Sequence, residues 1–144
     1  MTRDTAAVTQ FIERFTQVLV DAGMPRIASR IFVTILATDS ARLTAGELAE
    51  QLHASPAAIS GGVRYLVALD MVQRGREPGS RRDYYSVEHD VWYRTISERD
   101  KLMSRWSASL TEGVAALGES TPAGARIAES VEFFAFIRKE LDDL

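Results

Sequence analysis

Two helix-start signals stand close together between Thr44 and Pro56, and they restrict the fold more than anything else in the chain. Thr44-Ala45-Gly46-Glu47 is a capping box, in which the hydroxyl serves the N3 amide and the carboxylate returns to the cap amide. Ser55-Pro56 is a second start, a serine cap followed by proline at the first helical position. Between them Leu48, Ala49 and Leu52 give one apolar stripe, and His53-Ala54 is left for a turn. Two short helices joined by so few residues must cross steeply, which is the helix-turn-helix arrangement. On the second helix Ile59, Val63 and Leu66 face inward, with Val67 nearby. Ser55, Pro56, Ala57, Ser60, Gly61 and Arg64 remain for the outer face. Glycine inside a helix costs about 1 kcal/mol relative to alanine, so Gly61-Gly62 needs a reason. Close approach to DNA and close approach to a neighbouring helix weigh evenly for Gly62, and the DNA reading is favoured for Gly61.

After Leu69-Asp70-Met71 the pattern changes to strands. Val72–Arg76 and Asp83–Val87 flank Glu77-Pro78-Gly79-Ser80, which has the composition of a turn. Ala41-Arg42-Leu43 can add a third strand. The ribbon carries Arg74, Arg76, Arg81 and Arg82. Crowded like charges stabilise a hairpin poorly, but they suit phosphates and a narrow minor groove. Asp83 is expected to clamp one of these arginines, and Tyr84 and Tyr85 to divide between a packed and a partly exposed position.

The formal net charge of −3 seems to oppose nucleic acid, but its distribution decides. Residues 60–86 hold five arginines against three carboxylates, whereas residues 112–144 hold three basic residues against seven acidic ones. The basic charge therefore sits on the ribbon. There is no cysteine, which excludes disulfides, thiol redox sensing and cysteine-based zinc sites and fits a reducing cytoplasm. His53 and His89 alone cannot make a metal site, and no cofactor is expected. No nucleophile–base pair or phosphate-cradling glycine loop appears, so an enzyme is not expected. No apolar run approaches the roughly 20 residues of a membrane span. Met1-Thr2-Arg3-Asp4-Thr5 lacks the layout of a signal peptide.

The flanking segments read as amphipathic helices. Residues 4–22 place Val8, Phe11, Ile12, Phe15, Val18 and Leu19 at helical spacing. Gly23 stops this helix, and Pro25 suits the first turn of the next, residues 25–38. Arg26 and Arg30 lie one turn apart on its polar side. They are expected to be solvated or paired with acidic residues rather than held by DNA. Residues 89–118 form a long helix with a broken heptad through Trp92, Ile96, Met103, Trp106, Leu110 and Leu117. Thr121-Pro122 starts a last helix carrying Phe133, Phe134 and Phe136, more aromatic surface than one small helix hides on its own chain. Burial across a subunit boundary is favoured, with Phe11, Phe133, Phe134, Ile137 and Leu141 as the interface. Phe15, Met24, Trp92, Tyr93 and Trp106 come from segments that can converge on a pocket for a small apolar or aromatic effector, although ordinary core packing is the commoner fate of such residues.

The chain resembles the MarR-type winged-helix regulators in the order of its elements. The resemblance is most specific over Leu43-Thr44-Ala45-Gly46-Glu47-Leu48-Ala49 and Ile59-Ser60-Gly61-Gly62-Val63-Arg64-Tyr65-Leu66. Gly23-Met24-Pro25-Arg26-Ile27 and Arg81-Arg82-Asp83-Tyr84-Tyr85 are similar to the GbsR-like branch. The commonest wing pattern of the family, Asp-x-Arg followed by Leu-Thr, is absent. Asp70 stands where glycine is expected, a substitution that the left-handed region tolerates. The resemblance implies a mainly α fold with a small β-wing. Dimerisation regions at residues 1–24 and 89–144 would flank a DNA-binding domain at 25–88. It also implies a homodimeric repressor on a pseudo-palindromic double-stranded site, with a ligand relieving repression. In this reading the outer-face residues approach base edges, Arg64 contacts guanine, and the four ribbon arginines grip the backbone, Arg81 or Arg82 reaching the minor groove. A winged helix used for protein contacts without DNA is the alternative, disfavoured by the small polar outer face.

Overall fold

Both helix starts form as their local chemistry requires. In the computed structural model, Thr44 Oγ1 accepts from the Glu47 amide at 3.1 Å, and the Thr44 amide donates to Glu47 Oε1 at 3.0 Å. Ser55 Oγ accepts from the Ala58 amide at 3.1 Å. The structure describes residues 4–143; Met1–Arg3, part of the segment read for a leader, and Leu144 lie outside them. The elements in order are α1 (Thr5–Asp21), α2 (Arg26–Leu36), β1 (Arg42–Thr44), α3 (Ala45–Leu52), α4 (Pro56–Ala68), β2 (Gln73–Arg76), β3 (Asp83–Ser86), α5 (Val91–Leu117) and α6 (Pro122–Asp142). The fold is mainly helical with one small antiparallel sheet, as the sequence implies. No helix among the described residues is long and apolar enough to cross a membrane.

The chain divides after Trp92 into two compact units. The first is organised on α2, whose Ala28, Ile31, Phe32, Val33 and Ile35 are all buried. Against it pack Leu48 and Leu52 of α3, Ile59, Val63 and Leu66 of α4, and Leu43, Tyr85 and Val87 from the sheet region. Helix α1 belongs to this unit and packs on α2. The sheet order is β1-β3-β2, so the expected third strand exists, with Leu43 opposite Tyr85 and Gly75 opposite Tyr84. Tyr85 is buried and Tyr84 half-buried, as their alternation requires.

Several boundaries differ from the sequence reading. Strand β2 begins at Gln73 because Val72 turns into the core, where it is 1% exposed. Pro25 caps α2 instead of opening its first turn, and its carbonyl accepts from both the amide and the hydroxyl of Ser29 at 2.9 Å. Arg81 and Arg82 lie in the loop between β2 and β3, not on a strand. Asp70 adopts the left-handed conformation, φ 60°, and its carboxylate accepts from Gln73 Nε2 at 2.7 Å.

The second unit is a helical hairpin made by α5 from Tyr93 onward and α6. Trp106 meets Phe134 edge-on at 6.0 Å, and Arg138 Nε donates to Asp100 Oδ1 at 3.0 Å. Between Tyr93 and Asp143 only Gly124 is buried. Two helices pack along a single seam and leave the remaining apolar side chains uncovered.

Replacing Thr44 by alanine removes the first cap. The expected cost is about 1 kcal/mol, read as a lower denaturant midpoint with an unchanged m-value.

Candidate nucleic-acid interface

Helix α4 buries one face completely and presents the other. Ile59, Gly62, Val63 and Leu66 are buried, while Ser55, Pro56, Ala57, Ser60, Gly61 and Arg64 are all exposed. The two glycines are now distinguished. A Cβ on Gly62 would lie 2.5 Å from Ile31 Cδ1 and 3.6 Å from the Ala28 backbone nitrogen, so this position exists for contact with α2. A Cβ on Gly61 would meet nothing within 4 Å, so its missing side chain serves no neighbour within the chain.

The wing sorts its arginines into two sets. Asp83 lies opposite Arg76 in the sheet register and accepts from Arg76 Nε at 3.0 Å. The same carboxylate stands 3.7 Å from Arg74 Nε. Arg74 also lies over the Tyr85 ring, its guanidinium carbon 5.9 Å from the centroid. The clamp expected of Asp83 thus holds two arginines. Arg81 and Arg82 are exposed at the tip, and neither guanidinium has a hydrogen bond or ion pair among the described residues. The loop is ordered from within, since the Arg82 amide donates to Ser80 Oγ at 3.1 Å.

A fifth arginine belongs to this surface and was not singled out from the sequence. Arg42 on β1 ion-pairs with Glu77 at 2.5 Å and lies 4.7 Å from the Tyr84 ring centroid. Tyr84 in turn crosses Gly75, where a Cβ would fall 2.4 Å from its ring. The expected third strand carried the signal, because pairing β1 to β3 places Arg42 beside the wing.

The residues expected to line an aromatic pocket are divided. In the first unit Trp92 stands edge-on to Phe32 at 5.7 Å and 6.4 Å from Phe15, with Met24 packed partly against the core. Tyr93 and Trp106 belong to the second unit, where both are exposed. Of the expected interface residues, Phe11 and Phe133 are exposed, and Phe134, Ile137 and Leu141 are half-buried.

A MarR family model matches residues 22–83, which contain the helix-turn-helix and most of the wing. A second model, described as an MmpR5-like MarR family transcriptional regulator, matches residues 90–144. The chain belongs to the MarR family. Two matched segments carry this assignment, and between them they take in every helix from α2 onward and strands β1 and β2. The HTH-type transcriptional regulator MmpR5 of Mycobacterium tuberculosis is 26% identical over 137 residues, covering 94% of this chain and 83% of the relative. A crystal structure of a transcriptional regulator superimposes with a TM-score of 0.85 at 25% identity, covering 95% of this chain and 94% of that one. This MarR-family protein is a DNA-binding transcriptional regulator and not an enzyme.

Proposed function

We propose that the protein is a homodimeric repressor whose two α4 helices enter successive major grooves of a pseudo-palindromic duplex, roughly 34 Å apart. The supporting observation is the coincidence of a small, exposed α4 face with a wing tip whose Arg81 and Arg82 have no partner among the described residues. Ser55, Pro56, Ala57, Ser60 and Gly61 let the helix backbone come close to base edges and adjacent phosphates. Arg64 has the donor fork that pairs with guanine O6 and N7. Arg81 and Arg82 take the phosphates or the minor groove, while Arg74 and Arg76, already held by Asp83, contribute less.

The dimer reading rests on the second unit. Ile96, Leu102, Trp106, Leu117, Phe133 and Phe136 are all exposed there, more apolar surface than a monomer usually shows to water. A second copy covers it most economically through the same helices, with Phe11 of α1 joining the interface. A small apolar or aromatic effector is supported by Trp92, which is 46% exposed beside Phe15 and Phe32. Within the family, Gly23–Ile27 and Arg81–Tyr85 favour the GbsR-like branch, and residues 90–144 the MmpR5-like group. The working compartment is the cytoplasm, where a DNA-binding regulator meets its operator.

Selection of random duplexes by the purified protein tests this reading. The enriched site is an inverted repeat with half-sites one helical turn apart. Arg64→Ala lowers discrimination against a substituted guanine by about 1–3 kcal/mol, with a smaller change in binding to unrelated DNA. A single unrepeated motif, or no enrichment, contradicts the dimeric operator.

A further inference from the structure

Residues 77–82 of the wing lie beyond its last cross-strand pair, Arg76 with Asp83. They include Arg81 and Arg82, so the order of this loop decides where the tip charges stand. Within the loop the order is local. The Ser80 amide donates to the Glu77 carbonyl at 3.0 Å, and the Arg82 amide donates to Ser80 Oγ at 3.1 Å. Glu77 is therefore the foot of the turn from which Arg82 is held. Among the described residues, the ion pair that ties this foot to the rest of the unit is the one with Arg42. Alternation along the strands places Arg42, Tyr84, Gly75 and Glu77 on one face of the sheet. The Asp83 clamp on Arg74 and Arg76 is on the other face. With the order β1-β3-β2, Arg42 stands on one edge and Glu77 continues the opposite edge. The Arg42 side chain thus crosses the middle strand, where its guanidinium carbon lies 4.7 Å from the Tyr84 ring centroid. The crossing depends on Gly75, because a Cβ there would fall 2.4 Å from the Tyr84 ring and displace it. An exposed ion pair alone orders little. Here one guanidinium is held by both a carboxylate and a ring. Its own strand ends at Thr44, the cap of α3.

We propose that Arg42 is a positioning residue for DNA binding: through Glu77 it straps the wing tip to the strand that leads into the helix-turn-helix. Arg81 and Arg82 then meet the duplex already in place relative to α4. Ordering a loop on association lowers affinity, and a loop ordered beforehand avoids that loss. Arg42 itself does not take a phosphate, because its charge is already answered by Glu77. Gly75 and Tyr84 belong to the same device, one by leaving room and the other by carrying the guanidinium across β3. The proposal rests on the wing reading given above, and the experiment separates the two.

Backbone amide relaxation is measured by NMR on the full chain without DNA, for the parent, Arg42→Ala and Gly75→Val. The valine changes no charge and suits a strand, so it displaces the Tyr84 ring while β2 stays paired. In the parent, residues 77–82 are as ordered as β2 and β3. In both variants fast motion rises in 77–82 and not in α2 or α4, a local change that a general loss of stability does not produce. Both variants bind a duplex from the selection above, and a scrambled one, about fivefold more weakly. The salt dependence of log K stays within about half a unit of the parent's, because no phosphate contact is lost. In a protein already carrying Arg81→Ala with Arg82→Ala, neither substitution weakens binding further, since the strap acts through those two side chains. A tip that stays ordered in either variant, or parent affinity in either, overturns the strap. If Arg42→Ala lowers the salt dependence by about one and weakens binding in that background too, Arg42 touches a phosphate itself and the positioning role is overturned. If the Arg81→Ala with Arg82→Ala protein binds as the parent does, the wing reading itself fails, whatever the relaxation shows.

Discussion

The double substitution Arg81→Ala with Arg82→Ala weakens binding to every duplex by roughly a hundredfold and lowers the salt dependence of log K by about two. The size follows from where these side chains stand. Each guanidinium at the wing tip is exposed and has no hydrogen bond or ion pair among the described residues, so its full charge is available to displace counterions from the duplex. Neither side chain packs in the core, so the melting temperature stays within experimental error of the parent. Arg76→Ala is the informative comparison. Arg76 is held by Asp83 at 2.9 Å, and its removal takes away a charge already largely compensated. The loss of affinity is correspondingly smaller. Fluorescence anisotropy on a specific and a scrambled duplex across a range of salt concentrations separates these outcomes. An unchanged salt slope in the double variant removes the wing from the DNA contact surface.

Gly62→Leu destabilises the first unit by several kcal/mol, while Gly61→Ala stabilises it by up to about 1 kcal/mol. These residues are adjacent and chemically identical, and only their neighbours differ. At Gly62 the first added carbon already collides with Ile31 Cδ1 at 2.5 Å, Ile31 is itself fully buried, and leucine adds three carbons more. Leucine is a good helix former, so the loss reports crowding and not helix propensity. Helix α4 must then lift from α2, and specific DNA binding falls with stability. At Gly61 a methyl group enters open space and restricts only the unfolded chain. The same methyl weakens operator binding if the helix backbone approaches DNA closely there. Thermal melts and binding isotherms on both variants check the pair. Equal melting temperatures would mean that α4 is not seated against α2 in this way.

The two helix starts were legible in the sequence because a cap is a local device. Thr44 reaches Glu47, and Ser55 reaches Ala58, within one turn of chain. Asp70, which the family resemblance marked as standing where glycine is expected, takes the left-handed conformation just after α4. The buried face of α4 was legible from helical spacing alone. The recognition-helix and wing residues could be named in advance because their chemistry lies in residue type and order, although naming them did not establish what each one touches.

What the sequence determined by itself is therefore the order of elements and the face each helix turns inward, since caps, periodicity and turn residues act over a few positions. The tertiary structure alone decided which glycine accommodates α2, which wing arginines are held by Asp83, and that Arg42 joins them across β3. Among the described residues it also left the buried Thr16 hydroxyl without a hydrogen-bond partner. Each of these depends on side chains brought together from distant parts of the chain, and that proximity follows from packing, which no local pattern encodes.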